Sequence, residues 1–391
     1  MSDRKEIREV AVYVLESDLL MRQILCSMLR KETGICLNCL KSFDDFETVF
    51  ESLKENQPHL LMLGVDEMDS PEMKFFYHVR QELPDIHIVL LTPLTREGAY
   101  IALEGLKKGA VDYVTKPDKR NGLILASNHF HKRVLPVVKA VPRLNRIRKA
   151  SEKKVSDDRK ITESLTMAHQ RMIPNGIDLI VIGSCLGGVT SLYKIIAGLP
   201  EKLPAPVVIV QHMPKIYTEV LAEELDETTL LNVREAKQNS VLIPGQIYVA
   251  PGGYHSVIKS NGERKKIVLH RGPREHKCRP SIDVLLRSAL QNYDSRVLSV
   301  FLSGGGADGI QGASLVLAKG GKVLLESKES SLLWDLNEKI YGLRPGIKSV
   351  PAERLASEIL KQLHPENLKK GLPGIPGEAA KDDWMVRTLG D

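Results

Sequence analysis

The chain contains no apolar run approaching the roughly 18–20 residues that a membrane helix requires, so a membrane-inserted protein is not expected. Its first nine residues are mostly polar or charged. That pattern predicts no secretory signal and a cytoplasmic placement. Cysteine is scarce and odd in number: Cys26, Cys36, Cys39, Cys185 and Cys278. Five such residues read as reduced thiols rather than as a closed disulfide framework. Cys36 and Cys39 form a lone C-x-x-C with neither a second pair nor a histidine motif beside it, so no metal site is expected there. No internal repeat is visible, and the dinucleotide fingerprint G-x-G-x-x-G is missing at the glycine-rich turn 183–188, so no cofactor is expected either. The net charge of +6 lies largely in one stretch that has no interleaved aromatics, which leaves little case for nucleic acid.

The sequence does have ample material for two or three domains: 391 residues, 42% hydrophobic and 27% charged. Strand-like and helix-like segments alternate over 8–126. The strands are expected at 10–15, 60–63, 87–91 and 112–114, and the helices at 19–31 and 99–108. Alternation at this spacing predicts a parallel sheet with helices on both faces. Residues 127–175 are crowded with Lys and Arg and contain Pro136 and Pro142; they read as a solvated basic linker, part of which could form a helix. Alternation resumes over 176–364, with strands expected at 177–182, 207–211, 246–250, 266–269, 297–302 and 322–325. Residues 365–391, rich in Pro, Gly and charge, read as a flexible tail.

Three segments of the second half carry chemistry, and each follows a predicted strand. The first is Gly183-Ser184-Cys185-Leu186-Gly187-Gly188, the second Gln211-His212-Met213-Pro214, the third Ser303-Gly304-Gly305-Gly306-Ala307-Asp308-Gly309. Loops that leave the carboxyl ends of parallel strands open at one rim of the sheet, where α/β enzymes keep nucleophiles and ligands. A thiol, an imidazole and a carboxylate at one rim are the parts of a nucleophile, base and orienter triad. Backbone N–H groups in these loops would stabilise an oxyanion. Each segment also has a plain reading: a small buried Cys, a structural His, or a glycine loop cradling phosphate. Spacing alone gives a hydrolase-like arrangement and no substrate.

At these residues the chain resembles the CheB family of chemotaxis response regulator protein-glutamate methylesterases. Further matching motifs are 248–255 (Tyr-Val-Ala-Pro-Gly-Gly-Tyr-His) and 279–285 (Arg-Pro-Ser-Ile-Asp-Val-Leu), and the resemblance spans most of 8–363. It implies a flavodoxin-like receiver followed by a doubly wound α/β catalytic domain. It also implies hydrolysis of glutamyl methyl esters, or deamidation of glutamines, on chemoreceptor cytoplasmic helices, in a pathway that also contains a chemosensory kinase and a methyltransferase. The family's nucleophilic serine falls on Cys185, its base on His212 and its orienter on Asp308. Leu186 and Gly305 fall at the oxyanion hole, and Arg279 and Ser281 lie beside the substrate. Ser184 is one position early for the nucleophile.

The receiver departs from the family further. Its two acidic positions after the first strand hold Glu16 and Ser17, and the phospho-accepting aspartate falls on Gly64. Thr92 and Thr115-Lys116-Pro117 are kept. A glycine has no carboxylate to phosphorylate, so ordinary phosphorylation is expected to be lost. Two readings follow: a hydrolase with a Cys-His-Asp triad, or a catalytically silent adaptor in a chemosensory pathway.

Overall fold

The computed structural model describes residues 9–40, 46–117, 122–154, 176–262 and 264–363. In chain order the first half contains β1 (Val10–Leu15), α1 (Leu19–Leu29), β2 (Ile35–Leu40), α2 (Phe46–Asn56), β3 (Leu60–Gly64), α3 (Pro71–Glu82), β4 (His87–Thr92), α4 (Arg96–Lys107), β5 (Asp112–Thr115) and α5 (Gly122–Lys154). The strands form one parallel sheet in the order β2-β1-β3-β4-β5. That order is the flavodoxin-like doubly wound sheet, as expected for a receiver. Helix starts follow local chemistry. Asp18 caps α1 by accepting from Leu20 N and Met21 N, and Ser70 caps α3 ahead of Pro71 at its first turn.

The second half contains β6 (Leu179–Ser184), α6 (Val189–Ala197), β7 (Val207–Gln211), α7 (Lys215–Asp226), β8 (Asn232–Glu235), β9 (Ser240–Val241), β10 (Gln246–Val249), β11 (His255–Asn261) and β12 (Arg264–His270). It continues with α8 (Ile282–Tyr293), β13 (Val297–Phe301), α9 (Ile310–Ala318), β14 (Lys322–Glu326), α10 (Asp335–Tyr341), β15 (Lys348–Val350) and α11 (Ala352–Leu363). Seven strands form a parallel sheet in the order β15-β14-β13-β6-β7-β10-β8. All six residues of β6 are buried, as a strand covered on both faces requires. The strand order reverses at β6, between β13 and β7, so the loops after these three strands share the crevice where doubly wound sheets bind ligands.

Three expectations are corrected. Residues 266–269 do form a strand, but it lies in a separate antiparallel sheet, β11-β12-β9. Residues 127–154, expected to be solvated, continue α5 through Pro136 and Pro142 and bury one face. Phe130, Val134, Val137, Val138 and Val141 are all buried, and this spacing is the apolar stripe of an amphipathic helix. Third, Cys26 and Cys39 are joined by a disulfide, with Cα atoms 6.6 Å apart, while Cys36 is free and exposed. Side chains three apart on a strand point to opposite faces, so on β2 only one cysteine of the C-x-x-C meets α1. The expected tail 365–391 and the expected linker beyond 154 lie outside the described residues.

The α5 stripe packs in one apolar cluster with Leu186, Leu332 and Leu333 of the second half, and half-buried Cys185 lies against it. The receiver half thus sits over the turn that carries Cys185. Among the described residues, no helix is long and apolar enough to cross a membrane.

Candidate active site

Cys185 follows β6, His212 follows β7 and Asp308 lies in the loop after β13. Three bonds pin the backbone of Cys185. Its N–H donates to the Ser303 carbonyl at 3.1 Å, and its carbonyl accepts from Gly188 N at 3.2 Å and from Gln211 Nε2 at 3.0 Å. The neighbouring strand ends therefore fix the turn. Gly304 approaches so closely that a Cβ there would lie 3.0 Å from the Cβ of Cys185, which explains the glycine at this position. Ser184 faces away: its hydroxyl is buried beneath Gly188, whose added Cβ would lie 2.1 Å from it. It is not placed to act as a nucleophile.

His212 Nε2 lies 2.8 Å from Asp308 Oδ2. A carboxylate only accepts, so Nε2 carries the proton and Nδ1 is turned to the site. Cys185 is close enough to the same imidazole for each to shift the other's ionisation, and Cys278 Sγ lies 3.8 Å from Nδ1. Asp308 is held by the N-terminus of α8. Its Oδ1 accepts from Ser281 Oγ at 2.6 Å and from Asp283 N at 3.2 Å, and its Oδ2 from Ile282 N at 2.8 Å. The helix dipole favours a negative charge at that end. Ser281, expected beside the substrate, is fully buried; it caps α8 and orients Asp308 instead.

The electrostatics favour an ion pair. Burial alone pushes the Cys185 thiol up, but the His212 charge, its hydrogen bond and the Arg133 charge outweigh this, and the thiol lies below its ordinary value. Burial likewise opposes the His212 imidazolium, yet the Cys185 charge and the bond to Asp308 hold it well above the usual range. For Asp308, burial opposes ionisation and the His212 contact overcomes it, leaving the carboxyl low. The Leu186 N–H is among the influences that lower the Cys185 thiol, and a backbone donor beside the sulfur is the kind of group an oxyanion hole uses. Gly305 lies partly exposed in the glycine loop after β13, near Leu333. Arg279 is turned from the reacting groups: its Nη1 donates to the carbonyls of Arg271 and Gly272 at 3.2 and 2.9 Å.

Several participants carried little sequence signal. Cys278 directly precedes the Arg279-Pro280-Ser281 motif, yet only the fold brings it to His212. Gln211, Asp112 and Arg133 are further cases. Asp112, on receiver strand β5, accepts from Tyr113 N at 2.8 Å and is buried near the turn 183–188; burial pushes its carboxyl up to about 6. Arg133 of α5 lies over the Tyr113 ring, 5.9 Å from its centroid, and close enough to Cys185 to act on its charge. Thr92 Oγ1 meets Tyr217 Oη at 2.9 Å, Tyr217 donates to the Pro93 carbonyl at 2.7 Å, and the Tyr113 and Tyr217 rings stack at 5.2 Å.

The receiver's own acidic site is closed. Lys116 Nζ contacts Glu16 Oε1 at 2.9 Å and Asp66 Oδ1 at 2.7 Å. Glu16 is buried, Ser17 exposed, and a Cβ on Gly64 would fall 2.2 Å from Glu16 Oε2.

A doubly wound sheet with a thiol, an imidazole and a carboxylate at its switch point, behind a receiver-type sheet, defines a two-domain α/β hydrolase of the response-regulator type. Comparison with known proteins narrows this. The family model for CheB methylesterase matches residues 180–359. A protein-glutamate methylesterase/protein-glutamine glutaminase of Symbiobacterium thermophilum is 30% identical over 367 residues, covering 92% of this chain and 99% of that one. One of the same description from Trichodesmium erythraeum is 27% identical over 352 residues, covering 90% and 98%. The crystal structure of the Thermotoga maritima CheB methylesterase catalytic domain is 34% identical over 48% of this chain and 99% of that one, with a TM-score of 0.46. The chain belongs to the CheB protein-glutamate methylesterase family, whose members are carboxylic ester hydrolases.

Proposed function

We propose that the chain is a chemotaxis-type protein-glutamate methylesterase, with glutamine deamidation as a related activity, that uses Cys185 in place of serine. The observation that carries this reading is His212 held between the Asp308 carboxylate at 2.8 Å and the thiol of Cys185. His212 holds the thiol proton as imidazolium while the thiolate attacks the γ-carbonyl carbon of a glutamyl methyl ester. The Leu186 N–H, and Gly305 in the opposite loop, stabilise the tetrahedral oxyanion. Collapse expels methanol, which takes the proton from His212, and leaves a thioester on Cys185. Water, deprotonated by His212, then attacks the thioester and releases the glutamate carboxylate and the thiol. A glutamine side chain follows the same course with ammonia as the leaving group. Methylated or amidated side chains on chemoreceptor cytoplasmic helices are the substrates; Arg279 braces the loop beside them rather than contacting them.

Residues 8–126 act in this reading as a receiver that has lost phosphorylation control, extended by α5, and 176–364 as the catalytic domain. A silent adaptor is the competing reading. Its support is the cover over Cys185: Asp112, Arg133 and the α5 stripe all lie near the nucleophile turn. Methanol release from methylated receptor fragments decides between the two. Release by the wild type, abolished in Cys185→Ala, is the expected result. Release only from Cys185→Ser would mean that the natural thiol is silent.

A further inference from the structure

The peptide between Cys185 and Leu186 carries both a held group and a free one. Its carbonyl belongs to Cys185 and its N–H to Leu186; in a trans peptide the two point in opposite directions. The carbonyl is held, accepting from Gln211 Nε2 at 3.0 Å and from Gly188 N at 3.2 Å. Among the described residues, the Leu186 N–H donates to no backbone carbonyl. Gln211 ends β7 directly before His212, and it pairs in register with Ser184, the residue before Cys185. Its side chain is buried, yet among the described residues its Oε1 has no partner. Burying half an amide unpaired is costly, so filling space does not account for a glutamine here.

We infer that Gln211 is a positioning residue for the hydrolysis: its side-chain amide grips the Cys185 carbonyl and so aims the Leu186 N–H at the oxyanion of the tetrahedral intermediate. This role presupposes the Cys185 hydrolase chemistry and gives its oxyanion donor a support. A carbonyl oxygen only accepts, so Nε2 is the end of the Gln211 amide that faces it. The bond crosses from β7 to the turn after β6 and fixes one peptide plane from the side opposite the N–H. The next peptide is held separately, its Leu186 carbonyl accepting from Ser303 Oγ at 2.7 Å. Without Gln211, the plane that carries the donor keeps only the longer bond from Gly188 N, made within the same turn.

Acylation of Cys185 and hydrolysis of its thioester both pass through an oxyanion at one place, so a misaimed N–H slows whichever step limits turnover. Alkylation of the same thiolate by iodoacetamide displaces iodide and builds no oxyanion. Loss of the Gln211 donor should therefore separate the two reactions.

Gln211→Met keeps the length of the side chain and removes the donor; Gln211→Glu keeps its shape and puts an acceptor in the donor's place. Both are made in the full-length protein, and thermal unfolding confirms that each is folded. Methanol release from methylated receptor fragments is expected to lose about 10²-fold in kcat, the effect of a displacement on the order of 1 Å, with KM unchanged. The iodoacetamide rate at Cys185 should stay at the wild-type value. Infrared difference spectra of an isotope-labelled cinnamoyl thioester on Cys185, with Cys185→Ala as the blank for other thiols, should show the carbonyl stretch rising in Gln211→Met as its N–H contact is lost. A folded variant with wild-type kcat, or with an unshifted carbonyl, overturns the assignment. So does an equal fall in alkylation and turnover, which would place the effect on the thiol and imidazole. A wild type that neither releases methanol nor forms the thioester would instead sink the hydrolase reading itself, and this role with it, before any variant is measured.

Discussion

The carboxylate of Glu16 occupies the space that a side chain on Gly64 would enter: an added Cβ lies 2.2 Å from Oε2 and 2.8 Å from Cδ. The position that would carry a phosphoacceptor is thus filled by a neighbouring acid, itself tied to Lys116. Deletion of one carboxylate and inward placement of another are two sides of one arrangement.

Gly64→Asp is therefore expected to destabilise the protein instead of restoring a phosphorylation site. It forces two carboxylates into one buried space, and overpacking of this kind costs about 1–3 kcal/mol. Thermal unfolding should show a lower Tm, recovered in part by shortening the neighbour in Gly64→Asp/Glu16→Asp. Acetyl phosphate with Mg²⁺ should label neither the wild type nor Gly64→Asp. Label on Asp66 would show that the loop can supply an acceptor after all.

The thiol of Cys185 should stay reactive at low pH. Its pKa lies below the ordinary value because the His212 charge outweighs burial, so the thiolate persists as pH falls below about 8.5, and the alkylation rate declines only below the depressed pKa. His212→Ala removes the partner and leaves burial, which acts upward. The iodoacetamide rate at pH 6 should then drop by about tenfold for each unit of upward shift. Identical pH profiles for wild type and variant would dissociate the thiol from the imidazole.

Ser281 serves Asp308 and α8 together, so Ser281→Ala should affect both stability and rate. Loss of the cap costs about 1 kcal/mol, and loss of a hydrogen bond to a charged acceptor about 1.5–3 kcal/mol. Asp308→Asn puts an N–H₂ group among donors and disfavours the tautomer that places the free lone pair at Nδ1. Methanol release should fall by about 10⁴-fold in that variant, by analogy with triads of this geometry. If Ser281→Ala unfolds at the wild-type temperature, the contact is not part of the native framework.

The receiver's hold on the site is testable at Arg143 of α5, whose Nη1 donates to the Lys328 carbonyl at 2.7 Å and whose Nη2 reaches the Ser331 and Leu332 carbonyls. A hydrogen bond to a charged group is worth about 1.5–3 kcal/mol, and each 1.4 kcal/mol is about tenfold in an opening equilibrium. Arg143→Ala should therefore speed labelling of Cys185 by a bulky maleimide by about tenfold. An unchanged rate would mean that α5 does not limit access.

Much of this was legible in the chain. The alternating segments gave both doubly wound sheets, because a buried parallel strand must be a short apolar run and its crossover a helix. Glycine-rich and His-Met-Pro turns after such strands marked Cys185, His212 and Asp308, because the carboxyl ends of neighbouring strands share one rim. The loss at Gly64 was equally plain, since no fold can supply the missing carboxylate. The α5 stripe was hidden by Lys, Arg and two prolines, because a helix that buries a narrow face shows mostly its polar side to composition. What Arg279 and Ser281 touch was not legible: Ser281 bonds Asp308 and Arg279 bonds the Arg271 and Gly272 carbonyls, which depends on the cap and loop that hold them. The Cys26–Cys39 link, the Cys278 thiol at His212 and the Glu16 carboxylate over Gly64 join residues 13 to 66 positions apart. Local pattern cannot report such pairs, because strand order and interdomain packing bring them together. The chain alone determined which chemical groups are present and which strand ends carry them; the tertiary structure decided which of them touch, since distance and burial are properties of the packed molecule.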